Sequence, residues 1–322
     1  MSSSNVALVI PTIRNLDFLS SWSHEFNDPN IRIYVCEDHD TREIGIPNWS
    51  NIEIFSRNEI TMHLQKKAWV IPHFNASIRS FGYWKAYKDG ADYILTIDDD
   101  CLPGSDKFVA THIKNLSYKA DPGWVSSCNF RTRGYPYDIR ATSPVHVSHG
   151  LWENVADHDA PTQLALNTDL PTVNRQEVVT RIIPTGSYFP MCGMNLAFTR
   201  DIAPAMYFLL QGKFYEFDRF DDIWAGLFVK RVCDKMGWSI ITGFPTVYHS
   251  RASNVYSNLI KEAKGIGVHE KFWRHVDQIP LTKTTVKELY IELADGVRQF
   301  EYSSNYFAVL SDAMKEWVGL FD

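Results

Sequence analysis

A chain of 322 residues, 45% hydrophobic and 22% charged with a formal net charge of -6, has the balance of a globular protein. Lys and Arg are dispersed along it, which argues against a nucleic-acid ligand, because polynucleotide binders gather positive charge on one face. No stretch approaches about 18 uninterrupted apolar residues, so no transmembrane segment is expected, and five cysteines without C-x-x-C spacing disfavour zinc and disulfide frameworks.

Met1 to Asn5 lacks a basic, then apolar leader, so a cytoplasmic protein is expected. The short apolar run from Val6 to Thr12 reads as a buried first strand, and Leu16 to Phe26 as helical. Ile31 to Cys36 predicts a second strand, closed by the polar cluster Glu37 to Asp40, and Ile52 to Phe55 a third. Asn75 to Tyr87 places Ile78, Phe81 and Trp84 near helical spacing, with Gly90 as a stop. Tyr93 to Ile97 is again strand-like and runs into Asp98-Asp99-Asp100. Strands that alternate with helices and end on polar residues imply a parallel sheet with its ligand beyond the carboxyl ends of the strands.

Further on, Trp124 to Asn129 and His146 to Ser148 are strand candidates, and Ile202 to Leu210 and Trp224 to Met236 are helix candidates. Trp238 to Val247 resumes a strand before a polar loop from His249 to Asn258. Thr285 to Phe300 and Tyr306 to Phe321 are amphipathic helices whose outer faces could pair subunits into a homo-oligomer. The expected organisation is a catalytic α/β domain over 1–265 with a helical extension over 266–322 packed on it.

The acidic triplet carries the sharpest chemical signal. In an extended segment Asp98 and Asp100 would share one side while Asp99 turns away. Paired carboxylates suit a hard cation that bridges to diphosphate oxygens, although three acids in a row also make an ordinary solvated loop. His249, at another strand end, could complete a metal shell or serve as a structural hydrogen-bonder. Asp221 and Asp222 open a helix, where acids favour the macrodipole with no further role. Arg131, Arg133 and Arg140 surround the turn Gly134-Tyr135-Pro136 and offer bidentate donors for phosphate, or simply a basic surface. Gly265-Ile266-Gly267 lacks the third glycine and the preceding strand of a dinucleotide fingerprint.

Several segments together resemble one family, the reversibly glycosylated polypeptides or UDP-arabinopyranose mutases of glycosyltransferase family 75. They include Val9 to Leu19 (VIPTIRNLDFL), Thr96 to Cys101 (TIDDDC), Arg133 to Pro136 (RGYP), Ser148 to Trp152 (SHGLW) and Asp159 to Leu164 (DAPTQL). Phe189 to Phe198 (FPMCGMNLAF), Asp221 to Gly226 (DDIWAG) and His249 to Asn254 (HSRASN) follow in family order. His39 stands where the family commonly has a glycine between two acids.

The resemblance implies a nucleotide-sugar fold of the GT-A type, with a mostly parallel central sheet flanked by helices. It also implies a divalent cation at the triplet, manganese first and magnesium as the alternative, and UDP-arabinose and UDP as ligands. Arg133 matches the arginine that becomes reversibly glycosylated, and Arg140 a second arginine the activity needs. On that basis Pro11, Thr12, Arg14, Asp38, Arg57, Asp98 and Asp99 are expected at the nucleotide, and Asp100, His249 and Asp98 at the metal. Neutralising an arginine at pH 7 costs at least roughly 7 kcal/mol, so Arg133 as nucleophile needs a base. Asp221 or Asp222 is the first candidate, with Asp157 and His149 behind. A glycosyltransferase acting on a polysaccharide or protein acceptor, and a self-glycosylating subunit of a synthase, are the competing expectations.

Overall fold

The computed structural model describes residues 5–121, 133–135, 142–166, 172–250 and 254–322. The first half of the sheet follows the expected pattern: β1 (Val6–Thr12), β2 (Ile31–Glu37), β3 (Ile52–Phe55) and β4 (Tyr93–Ile97) lie parallel in the order β3-β2-β1-β4. Their apolar residues split by alternation between two cores. Ala7, Val9, Tyr34 and Cys36 face one, and Val6, Leu8, Ile10, Ile33 and Val35 face the other. A strand buried on both faces reads as a continuous apolar run, which is why these four are visible in the sequence.

The second half is mixed. Beyond the short β5 (Cys101–Pro103) and β6 (Lys119–Ala120) come the long β7 (Ser143–Val155), the two-residue β8 (Thr172–Val173) and β9 (Arg181–Ile182), β10 (Asn195–Thr199) and β11 (Ser239–His249). β10 runs antiparallel to both β4 and β7, β11 is parallel to β7, and β5 closes the edge antiparallel to β11. The sheet is therefore parallel only in part, flanked by helices on both faces.

Two helical expectations resolve differently. Leu16 to Phe26 becomes a 3-10 turn over Asp17–Trp22 followed by the single-turn α1 (Ser23–Phe26). Within Ile202 to Leu210 only the 3-10 turn Arg200–Ala205 forms. It contains Pro204, and the chain beyond buries Met206, Tyr207, Phe208, Leu209 and Leu210 one by one, so no single helix face exists. The strand expected over Trp124 to Asn129 lies outside the described residues, as do Arg131, Arg140 and 251–253.

The remaining helices are α2 (Arg57–Leu64), α3 (Arg79–Lys88), α4 (Phe108–Leu116), α5 (Ala160–Leu166), α6 (Asp221–Met236), α7 (Val255–Gln278), α8 (Val286–Arg298) and α9 (Tyr306–Val318). The boundary expected at 265 falls inside α7. A Cβ at Gly265 would lie 2.3 Å from the Phe220 ring, so its bareness lets α7 seat on the start of α6. Leu310, Met314 and Trp317 of α9 are wholly buried in the same core as Val9 and Tyr34. At about 1.5–3 kcal/mol for each large side chain, the C-terminal helices are part of the fold's stability. Among the described residues no helix is long and apolar enough to cross a membrane.

Candidate functional site

β1 lies between β2 and β4; the chain leaves it to one side for β2 and β3 and returns on the other for β4. At such a switch point the loops after adjacent strands diverge and open a crevice. A cleft of about 290 Å³ lies there. Pro11, Thr12, Ile13 and Arg14 line it from the end of β1, Asp38 from β2 and Asp98, Asp99 and Asp100 from β4; Phe74, Asn75, Ala76 and Ile78 form the facing wall.

The triplet is a turn rather than an extended segment, because Cys101 N–H donates to the Asp98 carbonyl at 3.2 Å. Alternation therefore does not sort its side chains, and each acid has its own surroundings. Asp98 pairs with the buried Arg79. Asp99 accepts from the Thr12 hydroxyl at 2.6 Å and from Arg14 Nε at 3.1 Å. Among the described residues the ion pair open to Asp100 is the distant one with Arg14 at 3.8 Å. Burial, together with Asp98 and Asp99, holds the Asp100 carboxyl above its ordinary range. A carboxylate short of positive charge is what a cation would relieve.

His249 reaches this group through sheet register, since β11 pairs with β5 so that His249 stands opposite Cys101. Its Nδ1 is 3.0 Å from the Val155 carbonyl, which can only accept, so Nδ1 donates there and Nε2 is the nitrogen a neutral ring would offer to a metal. Asp100 and His249 thus have the donor chemistry for a hard divalent ion. Among the described residues no three His, Cys, Asp or Glu side chains are gathered as a ready metal shell. Ligand oxygens and water would have to supply the rest.

Arg79 links the triplet to a second acidic group. Its guanidinium donates to Asp98, to the Gly193 carbonyl, to Thr96 Oγ1 at 3.1 Å and, through Nε, to the Ala76 carbonyl at 3.0 Å. Gly193 N–H in turn donates to Asp222 at 2.9 Å. Asp221 accepts from Ser77 Oγ at 2.8 Å. Burial, then the neighbouring Asp221 and Asp157, push the Asp222 carboxyl up to about 8; burial raises Asp221 as well. Both acids do open α6, but their carboxylates also hold the loops of the cleft.

His149 and Asp157 sit beside this pair. Cys192 N–H donates to His149 Nε2 at 3.2 Å, and His149 Nδ1 is 2.9 Å from Thr242 Oγ1. Both ring nitrogens are engaged and burial lowers the imidazole to about 4, which suits holding the 190–193 loop rather than taking a proton. Asp157 is exposed and accepts from the Cys192 thiol at 3.1 Å. Arg57 does not line the cleft: it is buried, donating to Asp38 at 2.6 Å and to the backbone of Ile71 and Pro72, and so positions the facing wall. Arg133 is exposed on a turn in which Gly134 takes φ +94° and Tyr135 is buried. Arg140 lies outside the described residues.

Residues 1–322 match the family described as reversibly glycosylated polypeptide. The chain belongs to that family. It is 41% identical over 332 residues to a probable UDP-arabinopyranose mutase 1 of Pisum sativum, covering 98% of this chain and 90% of that protein. It is also 41% identical over 333 residues to UDP-arabinopyranose mutase 2 of Arabidopsis thaliana, covering 98% and 91%. Identity is 39% over 339 residues to UDP-arabinopyranose mutase 1 of Oryza sativa subsp. japonica, covering 98% and 90%. Arg79, Ser77 and Gly193 went unrecognised in the sequence as site residues. Arg79 carried one signal: a charged residue between the apolar Ile78 and Phe81 at the start of a helix.

Proposed function

We propose that this chain is a UDP-arabinopyranose mutase that interconverts UDP-arabinopyranose and UDP-arabinofuranose. Full-length relatives named for that activity support the reading. The observation that carries it is the Asp98–Arg79–Gly193–Asp222 chain, which ties a diphosphate end rich in oxygen ligands to a half-buried acid of raised pKa.

Changing ring size requires O5 to leave C1 and O4 to reach it, which needs a sugar detached from UDP. Asp100 and His249 would hold a divalent cation, manganese or magnesium, that neutralises charge on the departing diphosphate. Thr12 and Arg14 fix Asp99 at the cleft, and Arg79 holds Asp98 in place. Arg133 then receives the sugar: its nitrogen bonds C1 as the bond from C1 to phosphate breaks, and Asp222 takes the guanidinium proton. The raised pKa makes ionised Asp222 a stronger proton acceptor than an ordinary carboxylate, and this form gains population as pH rises toward 8. While the sugar is held on nitrogen, O5 leaves C1 with the proton Asp222 carries and O4 closes on C1 as its own proton passes to Asp222; a UDP oxygen then bonds C1 as the C1–N bond breaks, and the nitrogen recovers its proton from Asp222. Arg140 acts as the second arginine.

Incubating purified protein and manganese with UDP-arabinopyranose alone, followed by chromatography, tests the proposal. The expected result is multi-turnover formation of the furanose form without acceptor. Release of free arabinose and UDP alone would indicate a transferase, and a single stoichiometric labelling event a self-glycosylating subunit; either outcome overturns the mutase.

A further inference from the structure

Phe74 and Phe214 stand at the mouth of the cleft with 59% and 64% of their surface exposed. Phe74 lines the cleft directly and holds φ at +54°, a backbone region that bulky residues avoid. Its ring centroid lies 5.7 Å from that of Phe214 at an angle of 60°, and Lys213 Nζ stands 5.3 Å over the Phe74 ring. This apposition is built into the backbone. Gly212 takes φ +100°, and a Cβ on it would come within 3.0 Å of Asn75, so only glycine lets the 212–215 turn close against the Phe74 loop. The turn itself is set by Gly212 N–H donating to the Phe217 carbonyl and Tyr215 N–H to the Gly212 carbonyl, each at 2.9 Å.

The Phe74 wall is anchored over the end of β2, where Asn75 N–H donates to Asp38 at 3.2 Å. Asp98 follows β4, two strand spacings or about 10 Å away. A flat apolar face at one end of a cleft and oxygen-rich, cation-seeking groups at the other match a nucleobase with a diphosphate tail. We infer that Phe74 and Phe214 are the nucleobase clamp of this cleft, with the uracil face stacked on Phe74 and bounded by Phe214. The inference rests on the reading of the cleft as a UDP-sugar site.

Calorimetric titration with UMP, UDP and UDP-arabinose in the presence of manganese tests it. Aromatic stacking of a base predicts that Phe74→Ala weakens all three ligands by one common factor, about 5- to 100-fold. Phe74→Tyr should retain wild-type affinity to within roughly twofold, since it keeps the ring face. Phe214→Ala, at a position too exposed to matter for folding, should weaken UMP several-fold and decides the matter if Phe74→Ala does not fold. Unchanged UMP affinity in these alanine variants overturns the clamp, as does a loss confined to UDP-arabinose, which would put the rings against the sugar. Wild-type protein that binds none of the three overturns the nucleotide reading itself, and the clamp with it.

Discussion

Asp222→Asn should exchange activity for stability, in a way that depends on pH. The folded carboxyl keeps its proton up to about pH 8, whereas in the unfolded chain it ionises near pH 4. Between those values the folded state binds more protons, so wild-type stability attributable to this group is full at pH 4 and falls as pH rises toward 8. At roughly 1.4 kcal/mol per unit, and with Asp221 sharing the proton, the loss by pH 8 amounts to about 2–4 kcal/mol. Asparagine cannot ionise and escapes it. Its carbonyl can still accept from Gly193 N–H, but its amide then faces Ile223 N–H, which now donates to the other Asp222 oxygen at 2.8 Å. Losing that bond costs about 1 kcal/mol at every pH. The two curves must therefore cross: the variant is slightly less stable than wild type at pH 4 and about 1–3 kcal/mol more stable at pH 8. Urea denaturation at both pH values, beside turnover of UDP-arabinopyranose, measures this. A stability difference that is the same at pH 4 and pH 8 would refute the reasoning, because it would mean that the carboxyl titrates alike in both states.

Other substitutions probe the remaining parts. Asp100→Asn should abolish the manganese-dependent part of UDP affinity, seen as equal binding with and without the metal; a retained metal effect removes Asp100 from the ligand set. Arg133→Lys should keep UDP binding while losing both radiolabelling from UDP-sugar and mutase turnover, and full turnover by this variant excludes Arg133 from the mechanism. Gly265→Ala gains about 1 kcal/mol of helix propensity but places its Cβ 2.3 Å from Phe220, an overpacking worth about 1–3 kcal/mol. A net loss of up to about 2 kcal/mol in urea titrations is expected, and a stabilised variant would show that Phe220 can move aside.

The sheet end was legible because two physical signals coincide there. Strands buried on both faces leave unbroken apolar runs, and polar residues such as Asp38 and Asp98 to Asp100 appear where each run stops. The missed elements lack such signals or carry faint ones. β5 is three residues long and is recognisable only through its distant pairing with β11, the same pairing that sets His249 beside the triplet. α2 does carry a capping box, Ser56 with Glu59, but it has few apolar positions behind it to strengthen the pattern. The run 206–210 is buried on every side, so period cannot distinguish helix from irregular chain.

The arginines divide along the same line. Arg14 and Arg57 are both expected at the nucleotide and Arg79 is not singled out in the sequence, and the fold gives the three different tasks. Arg14 is half exposed and holds Asp99 at the cleft; Arg57 is sealed against Asp38 and the backbone of the facing wall; Arg79 is sealed beneath the triplet with donors pointing at three separate segments. Only a planar guanidinium with five fixed donors can serve Ala76, Thr96, Gly193 and Asp98 at once, which an ammonium cannot do. A charge buried this deeply is tolerated because Asp98 pairs with it and Ala76, Thr96 and Gly193 accept its remaining N–H groups. Its place is thus dictated by long-range packing of β4, α3 and the 190–193 loop, information that is distributed over the chain and absent from any local window around residue 79.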